Sequence, residues 1–254
     1  MESEDFTVAA VAVVDALGFK GIWRNHNPQK VLTTLKALKR SAIDISKWGN
    51  SLIHQDVHVT TALFSDTVVT TAVATEGSAA TERDLVRHAV RDVLKLVTTG
   101  LTTDPPMAYR GCIAFGQVLA EDDFFVGPAI DEAAEYADVA DAAVVWLCPS
   151  AKDKLGAPVP GAAEDIDLVP YRVPMKPAGA IETYAVNVMA WGIYPGCVES
   201  AAWDTPDVLR QGALARFHES KDPRVAIKRQ NTEAFLDVAE AHSRARWLRH
   251  GMKS

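Results

Sequence analysis

The hydrophobic positions follow two rhythms. Residues 7–14, TVAAVAVV, are an unbroken apolar run, short and rich in Val, which predicts a buried strand. The run ends in Asp15-Ala16-Leu17-Gly18-Phe19, where Gly18 permits a tight connection. Asn27 and Pro28 then offer an N-cap and an N1 proline. Val31, Leu35, Leu38, Ala42 and Ile45 recur at helical spacing, with Lys36, Lys39 and Arg40 off the stripe, so residues 29–48 read as an amphipathic helix. Residues 57–74, VHVTTALFSDTVVTTAVA, are two runs of Val and Thr broken by Ser65-Asp66, the pattern of a hairpin. A second helix over about 80–98 carries Val86, Val90, Val93 and Val97, and Thr99-Gly100 and Pro105-Pro106 end it.

Arg110 to Leu119 is a strand pattern, followed by the acidic turn Glu121-Asp122-Asp123. Phe124-Phe125-Val126 leads into Gly127-Pro128, and Pro128 suits the first turn of a helix bearing Ile130, Ala133, Ala134 and Ala137. Residues 142–148, AAVVWLC, predict another buried strand. Residues 149–180, rich in Pro, Gly and Ala, predict a loop-dominated excursion, and residues 181–191 a late strand. Beyond about 203 the pattern is helical. Ile227, Ala234, Val238, Ala241 and Ala245 share one face there, while Arg224, Lys228, Arg229, Arg244, Arg246 and Arg249 supply basic charge. The order β-α-β-β-α-β-α-β predicts an α+β fold, a ferredoxin-like or palm-type mixed sheet with helices packed on it.

Composition narrows the classes. With 254 residues, 48% hydrophobic and 23% charged, the chain has ample material for a buried core. A balance of 26 Lys+Arg against 33 Asp+Glu, net −7, argues against nonspecific nucleic-acid binding. No apolar stretch reaches the roughly 20 residues that cross a bilayer, and the acidic start MESEDFT lacks the basic opening of a secretion signal. Cys112, Cys148 and Cys197, odd in number and widely spaced, point to neither a disulfide framework nor a structural zinc. A reducing, cytoplasmic location without membrane or nucleic-acid partners is the expectation. His54 and His58 lie four apart in a strand pattern, which does not give the helical His pair of a metalloprotease. His218, His242 and His250 are expected to be solvated. Cys112, Trp146 and Trp191 read as core.

Two acids stand out by position: Asp15 ends an apolar strand, and Asp66 sits at the turn of the hairpin. With the first strand beside that hairpin, the carboxylates meet at one edge and suit Mg²⁺ or Mn²⁺ held together with substrate phosphates. The Leu17-Gly18-Phe19 turn offers backbone amides to a triphosphate, and Lys20 follows directly. An equally local explanation exists, since strand-end and turn aspartates are common for their own hydrogen bonds.

The segments AVAVVDALGFKGIW, ALFSDTVV, YRGCIAFGQV and FFVGPAIDEAAEYADV, in this order and approximate spacing, resemble the catalytic domain of class III nucleotidyl cyclases. Among these the chain is most similar to the pyrimidine cyclases of bacterial Pycsar anti-phage defence. The likeness covers roughly residues 7–191, so residues 1–195 are expected to form the catalytic domain and 196–254 a C-terminal helical extension. The resemblance implies that Asp15 and Asp66 hold two divalent cations, Mn²⁺ or Mg²⁺, with the Ala16 carbonyl as a further ligand. It implies phosphate binding at Leu17, Gly18, Phe19 and Lys20, and a head-to-tail homodimer with its sites at the interface. The product, a cyclic nucleotide, would activate a separate effector.

The departures from the family pattern carry information of their own. Purine-cyclizing relatives have a Lys four residues before the second metal Asp, where this chain has Ala62; their second base-reading acid falls near Phe124, beside Asp123. Asp131 and Glu135 stand where the helix usually carries a transition-state Asn and Arg, and ionised carboxylates cannot donate to a phosphate. Arg110, a permanent cation at a strand start, is the candidate replacement. The expectation is a pyrimidine cyclase preferring UTP to CTP. A silent cyclase-like module that binds a nucleotide or partner, and a purine cyclase, are the alternatives.

Overall fold

The computed structural model describes residues 6–20, 22–52, 56–121, 124–156, 166–190 and 206–249. Expectations that fall on His54, Asp122, Asp123, Trp191, Cys197 and His250, and on the boundary at 195/196, lie outside these residues.

The chain begins with β1 (Thr7–Ala16), α1 (Ile22–Asn25), α2 (Pro28–Leu52), β2 (Val57–Phe64), β3 (Thr67–Ala74) and α3 (Glu82–Leu101). It continues through β4 (Tyr109–Glu121), β5 (Phe124–Val126), α4 (Pro128–Tyr136), β6 (Val145–Leu147), α5 (Pro149–Leu155), β7 (Leu168–Pro174) and β8 (Ala180–Val186). Two helices, α6 (Pro206–Leu214) and α7 (Pro223–Arg249), follow, separated by a 3-10 turn at Ala215–Glu219. The described strands form one eight-stranded mixed sheet in the order β2-β3-β1-β4-β6-β8-β7, with β5 paired to β4. β4 and β6 run parallel; the other pairs are antiparallel. This is the α+β fold with helices on a mixed sheet that the patterning predicts.

β1 lies between β3 and β4, and Ala9 to Val14 are buried on both of its faces. An unbroken apolar run therefore replaces the alternation of a half-exposed strand. The Cys112 thiol donates to the Ala133 carbonyl of α4, while Lys154 of α5 lies 5.1 Å from the centre of the Phe115 ring. Positions 112 and 115 of β4 point to opposite faces, which places α4 on one side of the sheet and α5 on the other. α3 packs on β1 and β3 and against α5. Its capping box is complete: Thr81 accepts from the Asp84 amide, and Asp84 accepts from the Thr81 amide.

The structure corrects the sequence reading in four places. Residues 149–180 are not loop-dominated, because Pro149 opens α5 at its N-terminus. Pro170 and Pro174 lie in β7, an edge strand, where a missing amide is tolerated. The late strand ends at Val186, and α3 runs through Thr99-Gly100 to Leu101. The apolar stripe of the last helix is its exposed side: Ile227, Ala234, Val238, Ala241 and Ala245 are exposed, and α7 instead buries Thr232, Phe235, Leu236, Ala239, Ser243 and Arg246. Arg246 is thus interior, and His242, expected in solvent, is half-buried. Cys112, Cys148 and Trp146 are buried as expected. Its Cys148 neighbour and its burial push the Cys112 thiol well up, in keeping with an inert core residue.

Candidate active site

The end of β1 and the tip of the β2–β3 hairpin meet at one corner of the sheet. Thr67, Asp15 and Arg110 lie side by side across β3, β1 and β4. One residue further along, the Ala16 amide donates to the Asp66 carbonyl at 3.0 Å. Ser65, in the turn before Asp66, adopts φ of 58°, a left-handed position at a sharp reversal. Strand pairing thus brings Asp15 and Asp66 together although 50 residues separate them in the sequence.

The electrostatics of this corner are unfavourable to the ionised Asp15 carboxylate. Burial, and then the charge of Asp66, raise the Asp15 carboxyl above its ordinary range. Arg110 only partly offsets this: its Nη2 lies 3.5 Å from Asp15 Oδ2, and Thr67 Oγ1 is 3.4 Å from Asp15 Oδ1. Burial, with Asp66 and Asp15 adding to it, also raises the neighbouring Tyr109 hydroxyl well above the usual phenol range. Two oxygen donors that repel each other at a half-open corner fit a hard divalent cation that completes its shell with phosphate or water oxygens. Among the described residues no cluster of three or more His, Cys, Asp or Glu side chains suits a metal, so such a cation would rely on this pair.

Arg110 is not a free cation. Besides Asp15, it donates through Nη1 to the Asp138 carbonyl at 3.1 Å and lies 3.8 Å from the Asp138 carboxylate. Lys176 joins the same carboxylate at 3.7 Å. Its ammonium is shifted below the usual lysine range, by burial first and by the nearby Arg110 charge second. The Arg110 Nε is buried and has no hydrogen-bond partner among the described residues. Sequence reasoning missed Asp138 and Lys176, which come from different loops and share no pattern with Arg110.

Beyond Ala16 the chain makes the predicted tight connection. Gly18 adopts φ of 72°, which favours glycine. The Leu17 amide donates to the Ala108 carbonyl at 2.8 Å, whereas the amides of Gly18 and Phe19 meet no acceptor among the described residues. Lys20 is exposed. A second contact on this turn was not foreseen: Arg216, from the 3-10 turn after α6, donates to the Gly18 carbonyl at 2.8 Å. No local pattern near residue 216 signals it, because the contact depends on how α6 docks. Ala62 faces Val69 across β2 and β3, Phe124 is exposed, and Asp131 and Glu135 are exposed on α4.

The chain matches no protein-family model and no curated protein. Solved structures do match. A dimeric guanylyl cyclase domain of the RhoGC fusion protein from the aquatic fungus Blastocladiella emersonii superposes with TM-score 0.50 at 16% identity, covering 71% of this chain and 96% of that one. The monomeric form of that domain gives the same score and identity over 71% and 95% of the two chains. The adenylyl cyclase CyaB from P. aeruginosa scores 0.48 at 13% identity over 71% and 94%. The fold is that of a cyclase catalytic domain. At these identities the likeness speaks for the fold.

Proposed function

We propose that this protein is a nucleotide cyclase that converts a pyrimidine ribonucleoside triphosphate, UTP in preference to CTP, into its 3′,5′-cyclic nucleotide and pyrophosphate. The observation that carries the reading is the convergence of Asp15 and Asp66 at one sheet corner, beside a glycine turn with two open amides, in a fold shared with guanylyl cyclase domains. Two divalent cations, Mn²⁺ or Mg²⁺, when bound by Asp15, Asp66 and the Ala16 carbonyl, would lower the pKa of the ribose 3′-hydroxyl and neutralise triphosphate charge.

In this reading the 3′-oxygen attacks the α-phosphorus, the bond to the β-phosphate bridging oxygen breaks, pyrophosphate leaves and the hydroxyl proton passes to solvent. The carboxylates of Asp15 and Asp66 would hold the cations that place the reacting end at this corner. The amides of Gly18 and Phe19 face the phosphates, and Lys20 stands at the exit of the turn. Arg110 holds Asp15 in place and supplies positive charge beside the α-phosphate.

The pyrimidine assignment rests on Ala62 and Phe124 at the positions where, by the family resemblance, purine cyclases carry polar base readers. Exposed Phe64 and Phe124, 85% and 78% accessible, support a homodimer whose interface completes the site. In the same reading residues 1–195 are the catalytic unit and 196–254 an extension of it. The cyclic nucleotide is a cytoplasmic signal in anti-phage defence, received by a separate effector.

Incubation of the full chain with each of ATP, GTP, UTP and CTP and Mn²⁺, followed by chromatography, tests the reading. Cyclic UMP or cyclic CMP is the expected product. Cyclic AMP or cyclic GMP would replace the pyrimidine assignment by the purine one. No product from an intact dimer would favour a silent binding module, the reading that exposed Asp131 and Glu135 on α4 support.

A further inference from the structure

The C-terminal extension sets a guanidinium on the Gly18 turn. α6 lies so near the end of α3 that a Cβ on Gly212 would meet the Leu101 carbonyl oxygen at 2.0 Å. Leu209, Ala213, Leu214 and Phe217 are buried around this contact. The 3-10 turn that follows is thereby held over residue 18. Arg216 Nη2 donates to the Gly18 carbonyl at 2.8 Å, and Nη1 lies 2.7 Å from His26 Nε2. A guanidinium can only donate, so His26 Nε2 is the acceptor.

Both partners of Arg216 are neutral in this contact. Arg91, Arg110, Arg210, Arg224 and Arg244 each pair with a carboxylate, whereas no carboxylate among the described residues pairs with Arg216. A half-buried cation aligned by a carbonyl and an imidazole, with no carboxylate partner among the described residues, is suited to bind an anion. It sits on the turn whose Gly18 and Phe19 amides are open. Arg110, by contrast, is already bound to Asp15 and Asp138.

We propose that Arg216 binds the terminal phosphates of the nucleotide over the Leu17–Phe19 turn, so that the C-terminal extension supplies a substrate-binding residue to the catalytic unit. The identity of the substrate rests on the cyclase reading; the polyphosphate site rests on the geometry of the turn. The extension is then part of the site rather than a packed appendage.

The test uses the full chain and Mg²⁺-tripolyphosphate as probe. Arg216→Gln keeps a donor for the Gly18 carbonyl and removes the charge; Arg216→Lys keeps the charge. Calorimetric titration is expected to show tripolyphosphate affinity falling about tenfold or more in the Gln variant and largely recovering in the Lys variant. KM for the triphosphate that the wild type cyclizes rises in parallel, while affinity for the free nucleoside stays unchanged. Unchanged tripolyphosphate affinity and KM in Arg216→Gln overturn the assignment and leave the cyclase reading standing. A wild type that forms no cyclic product overturns the cyclase reading, and the titration still decides Arg216. Should the Gln variant fail to fold, the guanidinium resonances of wild-type Arg216 are followed as tripolyphosphate is added: a shift supports the site, and none overturns it.

Discussion

The Ala16 amide donates to the Asp66 carbonyl at 3.0 Å, which clasps the strand end carrying Asp15 to the hairpin tip carrying Asp66. The two carboxylates are held at this corner despite repelling each other, and the second charge is one cause of the raised Asp15 carboxyl. Asp66→Asn removes that charge and keeps the backbone bond. The Asp15 carboxyl, followed by NMR titration, is expected to return toward its ordinary range. On the proposed cyclase reading, in which Asp66 is a metal ligand, product formation should fall by about a hundredfold or more. An unmoved Asp15 titration would show that the two side chains do not sense each other.

Asp15 itself should trade stability for function. Its carboxyl is raised in the folded chain, so the folded state keeps a proton that the unfolded state gives up. Stability is lost as pH rises through the ordinary carboxylate range toward the raised value. Above that window Asp15→Asn should be more stable than the wild type, by a margin kept small by the partial exposure of the side chain and the opposing pull of Arg110. Below the window the two should melt alike. A lower melting temperature at pH 8 would mean that the Arg110 contact outweighs desolvation.

Much of this corner is legible in the sequence because its elements are local. The unbroken apolar run of β1 needs two covered faces, and the Ser65-Asp66 break in a Val/Thr run needs a hairpin; their adjacency follows once β3 pairs with β1. Elsewhere tertiary packing overrides the pattern. α7 buries Thr232, which accepts from the Ala143 amide, and Ser243, which accepts from Asn187. Its interior face is therefore partly polar, and apolar periodicity points to the opposite side. The prolines of β7 read as breakers because nothing in the local sequence announces a sheet edge. Arg216 reaches Gly18 across 198 residues through the docking of α6, a contact no window along the chain contains.

A second titration belongs to the core. Asp92 is buried in α3, its Oδ2 has no hydrogen-bond partner among the described residues, and burial pushes it up to about 7. The folded state therefore holds a proton that the unfolded state releases near pH 4, and stability declines from there to about pH 7. Asp92→Asn should flatten that decline and raise stability at pH 8 by about 1–4 kcal/mol. Chemical denaturation at pH 5 and pH 8 measures it; parallel slopes for wild type and variant would exclude Asp92 as the source.

Phe64, at the end of β2 and two residues before Asp66, contributes almost nothing to the folded monomer because its ring is exposed. Phe64→Asp should change monomer stability by no more than about 0.5 kcal/mol. In the proposed homodimer the same change buries a charge against a partner surface, and association should weaken about tenfold or more. Sedimentation velocity and thermal melting separate the two effects. A dimer of unchanged affinity would place the interface elsewhere.

The docking of α6 offers a way to move Arg216 without touching it. Gly212 approaches the Leu101 carbonyl more closely than any side chain allows, with the nearest atom 2.0 Å from an added Cβ. Both sides of the contact belong to helices, so relief requires α6 to shift as a body rather than one side chain to rotate. Gly212→Ala is accordingly expected to cost about 1–3 kcal/mol of stability, although alanine is the better helix former. The shift pulls the 3-10 turn off residue 18, so tripolyphosphate affinity should fall in the folded variant as is expected of Arg216→Gln, with Asp15 and Asp66 left in place. If Gly212→Ala lowers the melting temperature but leaves polyphosphate binding intact, Arg216 does not depend on the docked extension for its position. If neither changes, α6 does not pack on α3 as closely as the Gly212–Leu101 contact requires.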